Sequence, residues 1–316
     1  MQVLGKIGTR MDGGDQRPHI TLVRGPIVST SRSINNEATP SIAFAYLTAY
    51  LKAYGYPVSW VDAIGHGLNR YWPLADYPGY QCQGLTFEEI VAAIPPQTQI
   101  IGFSAMFSGE WPIQRDLLRR IRAAFPKALI VAGGEHITAL TEFSLREAEV
   151  IDVCVRGEGE HTFFEVAEAY RTGKGFNDIA GTAFLDGSGH YVEPNGLTRI
   201  KDIDNLPWPY WPDGYLEGFW ARGKSYGVLS ERDMPMMISR GCPYKCTFCS
   251  NPHMWTNRYT LREVDDVIAE IKHYLDRFRI TAVQLYDLTA IAKRSWAVEF
   301  CSKLVEAGIR LNWSLP

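Results

Sequence analysis

Three cysteines lie within eight residues, in the run Ser239-Arg240-Gly241-Cys242-Pro243-Tyr244-Lys245-Cys246-Thr247-Phe248-Cys249. Three thiolates at this C-x3-C-x2-C spacing can ligate three irons of a cubane [4Fe–4S] cluster and leave the fourth iron open to a small-molecule ligand. A cluster that serves electron transfer alone normally takes four cysteines, so three suit an enzyme that binds substrate or cofactor at iron. Zinc is the competing reading. His253 follows Cys249 by four residues, and Cys242, Cys246, Cys249 and His253 make a Cys3His set. Against it, structural zinc usually staples small modules that lack a core, whereas this loop follows an apolar strand in a long α/β chain. The remaining cysteines, Cys82, Cys154 and Cys301, are scattered. An even number would suggest disulfides in a secreted chain, but the local cluster points to metal in a reducing compartment. Cys154 falls inside an apolar strand and Cys301 on the expected buried face of a helix, where a free thiol behaves as a small hydrophobe.

The chain around this loop has 316 residues, which suggests about two domains. With 46% hydrophobic and 21% charged residues it can bury a sizeable core, which excludes a largely disordered protein. Its 32 Lys and Arg against 35 Asp and Glu give no reason to expect nucleic acid or an anionic membrane as a partner. No apolar run approaches the roughly 18 residues of a membrane span. The N-terminus, MQVLGKIGTRMDGGDQRPH, lacks the apolar segment of a signal peptide. A cytoplasmic location is expected.

Behind a tail at 1–18, residues 19–176 alternate strand and helix. The strand-like runs are ITLVRGPIV from residue 20, PVSWVDA (57–63), TQIIGFSA (98–105), KALIVAGG (127–134) and VIDVCVRG (150–157). Between them, SIAFAYLTAYLKAYGY, a short segment near Thr86, EWPIQRDLLRRIRAAFP, TALTEFSLREA and GEGEHTFFEVAEAYRTG read as helices, and residues after 63 as a Gly- and Tyr-rich loop. Arg115, Arg119, Arg120 and Arg122 read as a solvated helix face. Five buried-type strands alternating with helices predict an open, Rossmann-like parallel sheet covered on both faces. Such sheets bind ligands at the carboxyl ends of their strands. Here those ends are Asp62-Ala63, Ser104-Ala105-Met106, Gly133-Gly134-Glu135-His136 and Gly157-Glu158-Gly159-Glu160. Small residues at three of them let backbone approach a large flat ligand, or simply end the strands. No G-x-G-x-x-G and no Walker A motif is present, so a nucleotide is not the first expectation.

Residues 177–233 read as a hairpin turning at Asp186–Gly189 and then an ordered Pro- and Trp-rich linker, LPWPYWPDGYLEGFW, packed across a seam. From 234 to 316 the rhythm restarts: strand PMMISR, the cysteine loop, helix LREVDDVIAEIKHYLDRF, strand TAVQLYD, helix RSWAVEFCSKLVEAG, strand IRLNW. Leu261, Val264, Ile268, Ile271, Leu275 and Phe278 share one helical face. This βαβαβ pattern predicts the start of a (β/α) barrel. A full barrel takes about 250 residues, so the segment is expected to be an apparently truncated form.

These residues resemble the cobalamin (B12)-binding-domain-containing radical S-adenosylmethionine (SAM) enzyme family. The cysteine motif with aromatic Phe248 before its last cysteine is similar to the radical SAM motif. The strand ends GGEH and RGEGE are similar to the cobalamin-binding domain of that family, as are DIDNLPWP in the linker and the strand end QLYD. The likeness covers about residues 19 to 316, and the cysteine motif is its most specific part. It implies an α/β protein with a cobalamin-binding sheet followed by part of a radical SAM barrel. It further implies that Cys242, Cys246 and Cys249 hold a [4Fe–4S] cluster whose open iron takes SAM. Phe248 would lie near the adenine, and Asp287 would help position SAM, unless it is merely an acid at a helix N-terminus. Ser104, Gly133, Gly134, Gly157 and Glu158 would border the cobalamin.

One departure concerns cobalt. The D-x-H-x-x-G motif of cobalamin mutases is absent, because His66 stands four residues after Asp62 rather than two. His66 and His136 read as ordinary histidines, and the lower axial ligand is left open. The implied chemistry is reductive cleavage of SAM to methionine and a 5′-deoxyadenosyl radical that abstracts hydrogen. Methylcobalamin then delivers a methyl group to carbon or phosphorus of a small-molecule substrate. Flavodoxin or ferredoxin is the expected electron donor. A ring-forming cyclase of the same family, a non-catalytic corrinoid or Fe–S binding protein, and a zinc-stapled α/β module are the rival readings.

Overall fold

Five of the apolar runs form the strands β1 (Ile20–Arg24), β2 (Val58–Asp62), β3 (Ile100–Ser104), β4 (Leu129–Gly133) and β5 (Val153–Val155). They are described by a computed structural model covering residues 16–33, 38–197, 199–224 and 230–315; the tail before residue 16 lies outside the described residues. All five strands are parallel, in the order β2-β1-β3-β4-β5. Because side chains alternate along each strand, the sheet has two apolar faces. Ile20, Leu22, Ile100 and Val131 face Phe44, Leu51, Phe163 and Val166 of the helices Ile42–Ala53 and Gly159–Thr172. Val23, Ile101, Phe103 and Ile130 face Ile90, Leu117, Ile121 and Leu145 of three helices on the other side. Gly102 sits where a Cβ would come within 2.9 Å of the Phe163 ring, so its bareness lets that helix dock. The expected doubly covered α/β sheet is the one observed.

Beyond β5 the predicted hairpin adds β6 (Thr182–Leu185), antiparallel to β5, and β7 (Tyr191–Val192). Its turn is fixed by the Asp186 carboxylate, which accepts from the amides of Ser188 at 2.8 Å and His190 at 2.9 Å.

Local departures from the sequence reading have local causes. The run ITLVRGPIV breaks at Gly25-Pro26, since Pro26 has no N–H to continue a ladder. Ile27–Thr30 instead pairs with Tyr80–Gln83, which pairs with Tyr71–Pro73, so the Gly- and Tyr-rich loop holds two strands of a small antiparallel sheet. TALTEFSLREA divides between the helices Glu135–Ala139 and Thr141–Ala148. The arginines of the helix Trp111–Ala124 are paired rather than simply solvated: Arg115 meets Glu147 at 2.6 Å and Arg120 meets Glu88 at 3.0 Å.

The second unit has β8 (Asp233–Met236), β9 (Ala282–Leu285) and β10 (Asn312–Ser314), parallel and in that order. Helices Val264–Phe278 and Arg294–Glu306 form the crossovers. The first begins at Val264 rather than Leu261, which is taken into an antiparallel pair, Ser239–Arg240 with Thr260–Leu261. Cys301 is exposed, contrary to expectation. Trp296 and Phe300 define the buried face of its helix, and one further residue turns the side chain about 100° away.

The described part of the aromatic linker packs between the two units. Trp211 is fully buried, stacks on Tyr215 at 6.1 Å and meets Trp60 of β2 edge-on at 6.4 Å. One continuous apolar cluster runs from Ala45, Ile64 and Leu68 through Trp211, Leu216 and Phe219 to Met234, Ile268 and Phe278. No helix among the described residues is long and apolar enough to cross a membrane.

Candidate cofactor site

The cysteine loop springs from the pair Ser239–Arg240. Gly241 has φ +84°, and a Cβ there would stand 2.1 Å from the Arg258 carbonyl oxygen, so only glycine lets the two loop strands approach. Asp287, just beyond β9, grips the root of the loop. Its Oδ1 accepts from the amides of Ile238 at 3.1 Å and Ser239 at 2.5 Å, and from Ser239 Oγ at 2.5 Å. Burial pushes this carboxyl up to about 6, although the hydrogen bonds from Ser239 and Ile238 pull the other way. Thr289 Oγ1 donates to Cys242 Sγ at 3.2 Å, and the Cys249 amide donates to the Cys246 carbonyl at 3.2 Å.

Cys242 is half-buried, Cys246 and Cys249 are exposed, and Phe248 is 91% exposed. Among the described residues no three His, Cys, Asp or Glu side chains converge as a metal-binding group. The side chain of His253, the fourth ligand of the zinc reading, lies outside the described residues. What stands on the loop is a set of three free thiols with no disulfide. Soft thiolates on one short exposed loop fit an iron–sulfur cluster in donor chemistry.

The second part of the site is the carboxyl edge of the large sheet. In the order 2-1-3-4-5 the chain reverses direction between β1 and β3, and sheets of this kind bind ligands in the crevice at such a switch point. Ser104 ends β3, and beyond it Met106 and Phe107 are exposed, at 48% and 64%. Gly133 ends β4; Gly134 has φ +113°, and a Cβ on it would lie 2.4 Å from the Ala105 oxygen. Gly157, with φ +71°, donates its amide to Thr138 Oγ1 at 3.0 Å. Small residues thus end β3 and β4 beside the exposed Met106 and Phe107.

The far side of this edge is closed by a buried group. Arg24 holds Asp62 at 2.7 and 2.8 Å, and Tyr215 Oη donates to Asp62 at 2.5 Å. Burial alone raises the Asp62 pKa, but the Arg24 charge, aided by hydrogen bonds, holds it below the ordinary value. His66 is exposed on the helix Ala63–His66. His136 is buried, with Nδ1 2.9 Å from Ser108 Oγ, Nε2 3.2 Å from Ser144 Oγ, and its ring stacked on Trp111. Both of its nitrogens have protein partners.

The two parts touch. Arg240, two residues before Cys242, is buried and reaches across to the first unit. Its Nη1 lies 3.0 Å from Glu158 and its Nη2 2.5 Å from Glu160, while the guanidinium covers the Tyr46 ring at 5.2 Å. Arg199 and the Ile200 amide take the other Glu158 oxygen, at 2.8 and 2.7 Å. On the opposite flank, Ser250 hydrogen-bonds Glu135, and the helix Asn251–Met254 packs against Glu135–Ala139. The cysteine loop is thus moored on both sides to the carboxyl edge of the sheet. Glu158, expected to border the cobalamin, has both oxygens committed to this mooring. Sequence reasoning passed over Arg240, Glu160 and Arg199; the signal available was an arginine beside the cysteines and two acids at one strand end.

Comparison with known proteins agrees with this architecture. Residues 36–167 match the B12 binding domain family. The chain is 25% identical, over its whole length, to the cytidylyl-2-hydroxyethylphosphonate methyltransferase of Streptomyces wedmorensis, of which it covers 62%. It is 29% identical over 87% of its length to the anaerobic magnesium-protoporphyrin IX monomethyl ester cyclase of Rubrivivax gelatinosus, of which it covers 46%. Its fold matches that of OxsB, a cobalamin-dependent S-adenosylmethionine radical enzyme solved with aqua-cobalamin and S-adenosylmethionine bound. The TM-score is 0.74 at 18% identity, covering 94% of this chain and 38% of that one. The fold and the family match define an α/β protein with a B12-binding domain ahead of a barrel-like unit. In sequence and fold the chain is similar to cobalamin-dependent radical SAM enzymes, as the likeness at the cysteine loop implies.

Proposed function

We propose that this chain provides the corrinoid-binding and cluster-binding parts of a cobalamin-dependent radical SAM methyltransferase acting on carbon or phosphorus of a small molecule. The observation that carries the proposal is the C-x3-C-x2-C loop moored against the carboxyl edge of a B12-binding sheet. In this reading residues 19–176 bind the corrinoid, 177–233 join the units, and 234–316 begin the barrel. When bound, the cluster supplies the electron that cleaves SAM to methionine and a 5′-deoxyadenosyl radical, and the corrinoid supplies a transferable methyl group. The protein's own part is placement and shielding. Cys242, Cys246 and Cys249 hold the cluster, leaving one iron for SAM. Asp287 keeps the root of the loop in register with the barrel strands, and Phe248 folds over the adenine. Ser104, Gly133, Gly134 and Gly157 leave room for the macrocycle. A cytoplasmic flavodoxin or ferredoxin is the electron donor.

The test is electron paramagnetic resonance on anaerobically reconstituted, dithionite-reduced protein, with corrinoid uptake followed by absorbance. A [4Fe–4S]⁺ signal whose g-values shift on adding SAM, in a chain that also takes up corrinoid, is the expected result. One zinc per chain and no cluster signal would remove the reading. A second reading is favoured by the 29% identity to the Rubrivivax cyclase. Methyl label passing from SAM to product supports methyl transfer; SAM cleavage without methyl transfer supports a cyclase.

A further inference from the structure

Ser239 and Arg240 are neighbours in sequence with opposite attachments. Ser239, through its amide and hydroxyl, is tied to Asp287 of the barrel-like unit. Arg240 is tied to Glu158 and Glu160, which follow the last parallel strand of the large sheet. All five of these residues are buried: Ser239 is 1%, Arg240 5%, Glu158 3%, Glu160 6% and Asp287 4% exposed. The cysteine loop begins at the next residue but one.

A buried ion cluster is a poor choice for stability alone, since desolvating three charges opposes their attraction. It gives direction instead. A guanidinium presents its donors in a fixed planar fork, so contacts to two carboxylates define the orientation of both partners. Apolar packing across the seam, which Trp211 and its neighbours already supply, does not discriminate small slides and rotations in this way.

We propose that Arg240, with Glu158 and Glu160, is a positioning device that sets the distance and orientation between the cluster loop and the corrinoid-binding edge of the sheet. It rests on the reading that both cofactors bind. It assigns to the second acid of the RGEGE strand end and to the arginine before the cysteines a role in joining the two cofactor sites rather than in touching either cofactor.

The test measures spacing rather than turnover. In the full chain loaded with cluster and cobalamin and reduced so that [4Fe–4S]⁺ and cob(II)alamin are both paramagnetic, the cluster speeds relaxation of the cobalt signal, steeply with proximity. Arg240→Met and Glu160→Gln are compared with wild type at equal iron, sulfide and corrinoid content. The expected result is that both variants keep their cofactors but lose most of the relaxation enhancement or spread it over a distribution, and that Arg240→Lys restores part of it. Unchanged enhancement in both variants overturns the inference, because a merely stabilising ion cluster would leave the spacing alone. Should Arg240→Met fail to fold, Glu160→Gln, which keeps volume and one carboxylate, decides by itself. A wild-type chain that takes up no cluster or no corrinoid overturns the underlying reading too, and metal and corrinoid contents report that before any relaxation is measured.

Discussion

At the scale of single residues the six cysteines separate by burial. Cys82 and Cys154 are fully buried, and burial pushes the Cys82 thiol up to about 12 and raises that of Cys154 as well. Only the thiolate attacks alkylating agents. Native cofactor-free protein treated with iodoacetamide should therefore label at Cys242, Cys246, Cys249 and Cys301, leaving Cys82 and Cys154 unmodified until unfolding. Mass spectrometry after cluster reconstitution should find only Cys301 labelled; a zinc site through His253 would protect the same three thiols without iron. Asp287 gives a pH prediction. Its folded pKa, near 6, lies above the ordinary 3.8, so the native state binds the proton more tightly than the unfolded chain. The resulting stabilisation is complete below the unfolded value and lost as pH rises through about 6. Against Asp287→Asn, the wild-type chain should lose about 2 kcal/mol of relative stability between pH 4 and pH 7. Denaturant melts of the two proteins across that range check the slope.

At the scale of elements, two adjacent glycines at the end of β4 serve different ends. Gly134 is held at positive φ with the Ala105 backbone against it, so Gly134→Ala should destabilise the fold by about 1–3 kcal/mol. At Gly133 a Cβ would meet nothing nearer than the Val155 oxygen at 3.4 Å. Gly133→Ala should melt like wild type yet, if this strand end borders the corrinoid as proposed, bind cobalamin more weakly, because the methyl group adds bulk there. Equal cobalamin affinity for Gly133→Ala and wild type would remove Gly133 from the site. The strands themselves were legible from runs of Ile, Val and Leu bounded by Gly and Pro, and the short helix near Thr86 proves to be capped by the Thr86 and Glu89 side chains. Strands inside the Gly- and Tyr-rich loop were not, because Tyr71–Pro73 and Tyr80–Gln83 alternate too briefly to show a period. Cys301 was misplaced because periodicity identifies a helix more surely than it fixes which side of an apolar stripe a single residue takes.

At the scale of the whole molecule, the apolar seam makes one body of two α/β units. Its cluster includes Ala45 and Ile64 of the first unit and Met234 and Ile268 of the second, with Trp211 fully buried between them. Chemical denaturation should show a single transition, and Trp211→Ala should cost about 3–5 kcal/mol. Two separated transitions in the wild-type chain, with Trp211→Ala affecting neither, would deny the seam this role. The chain spans 62% and 46% of the length of the two curated relatives compared.

The sequence by itself determined the parallel sheet, the small residues at its carboxyl ends, the barrel-like repeat and the three thiols, since each is written in local spacing. Periodicity fixes an element, glycine fixes a close approach, and C-x3-C-x2-C fixes three neighbouring thiols on one loop. Tertiary structure alone decided what faces what. Arg240 lies 82 residues from Glu158 and 80 from Glu160 in the chain, and Asp287 lies 48 from Ser239. No spacing rule links residues so distant. Whether their charges meet in a buried cluster or stand separately in water depends on how two units pack, and that packing holds the cysteine loop against the sheet.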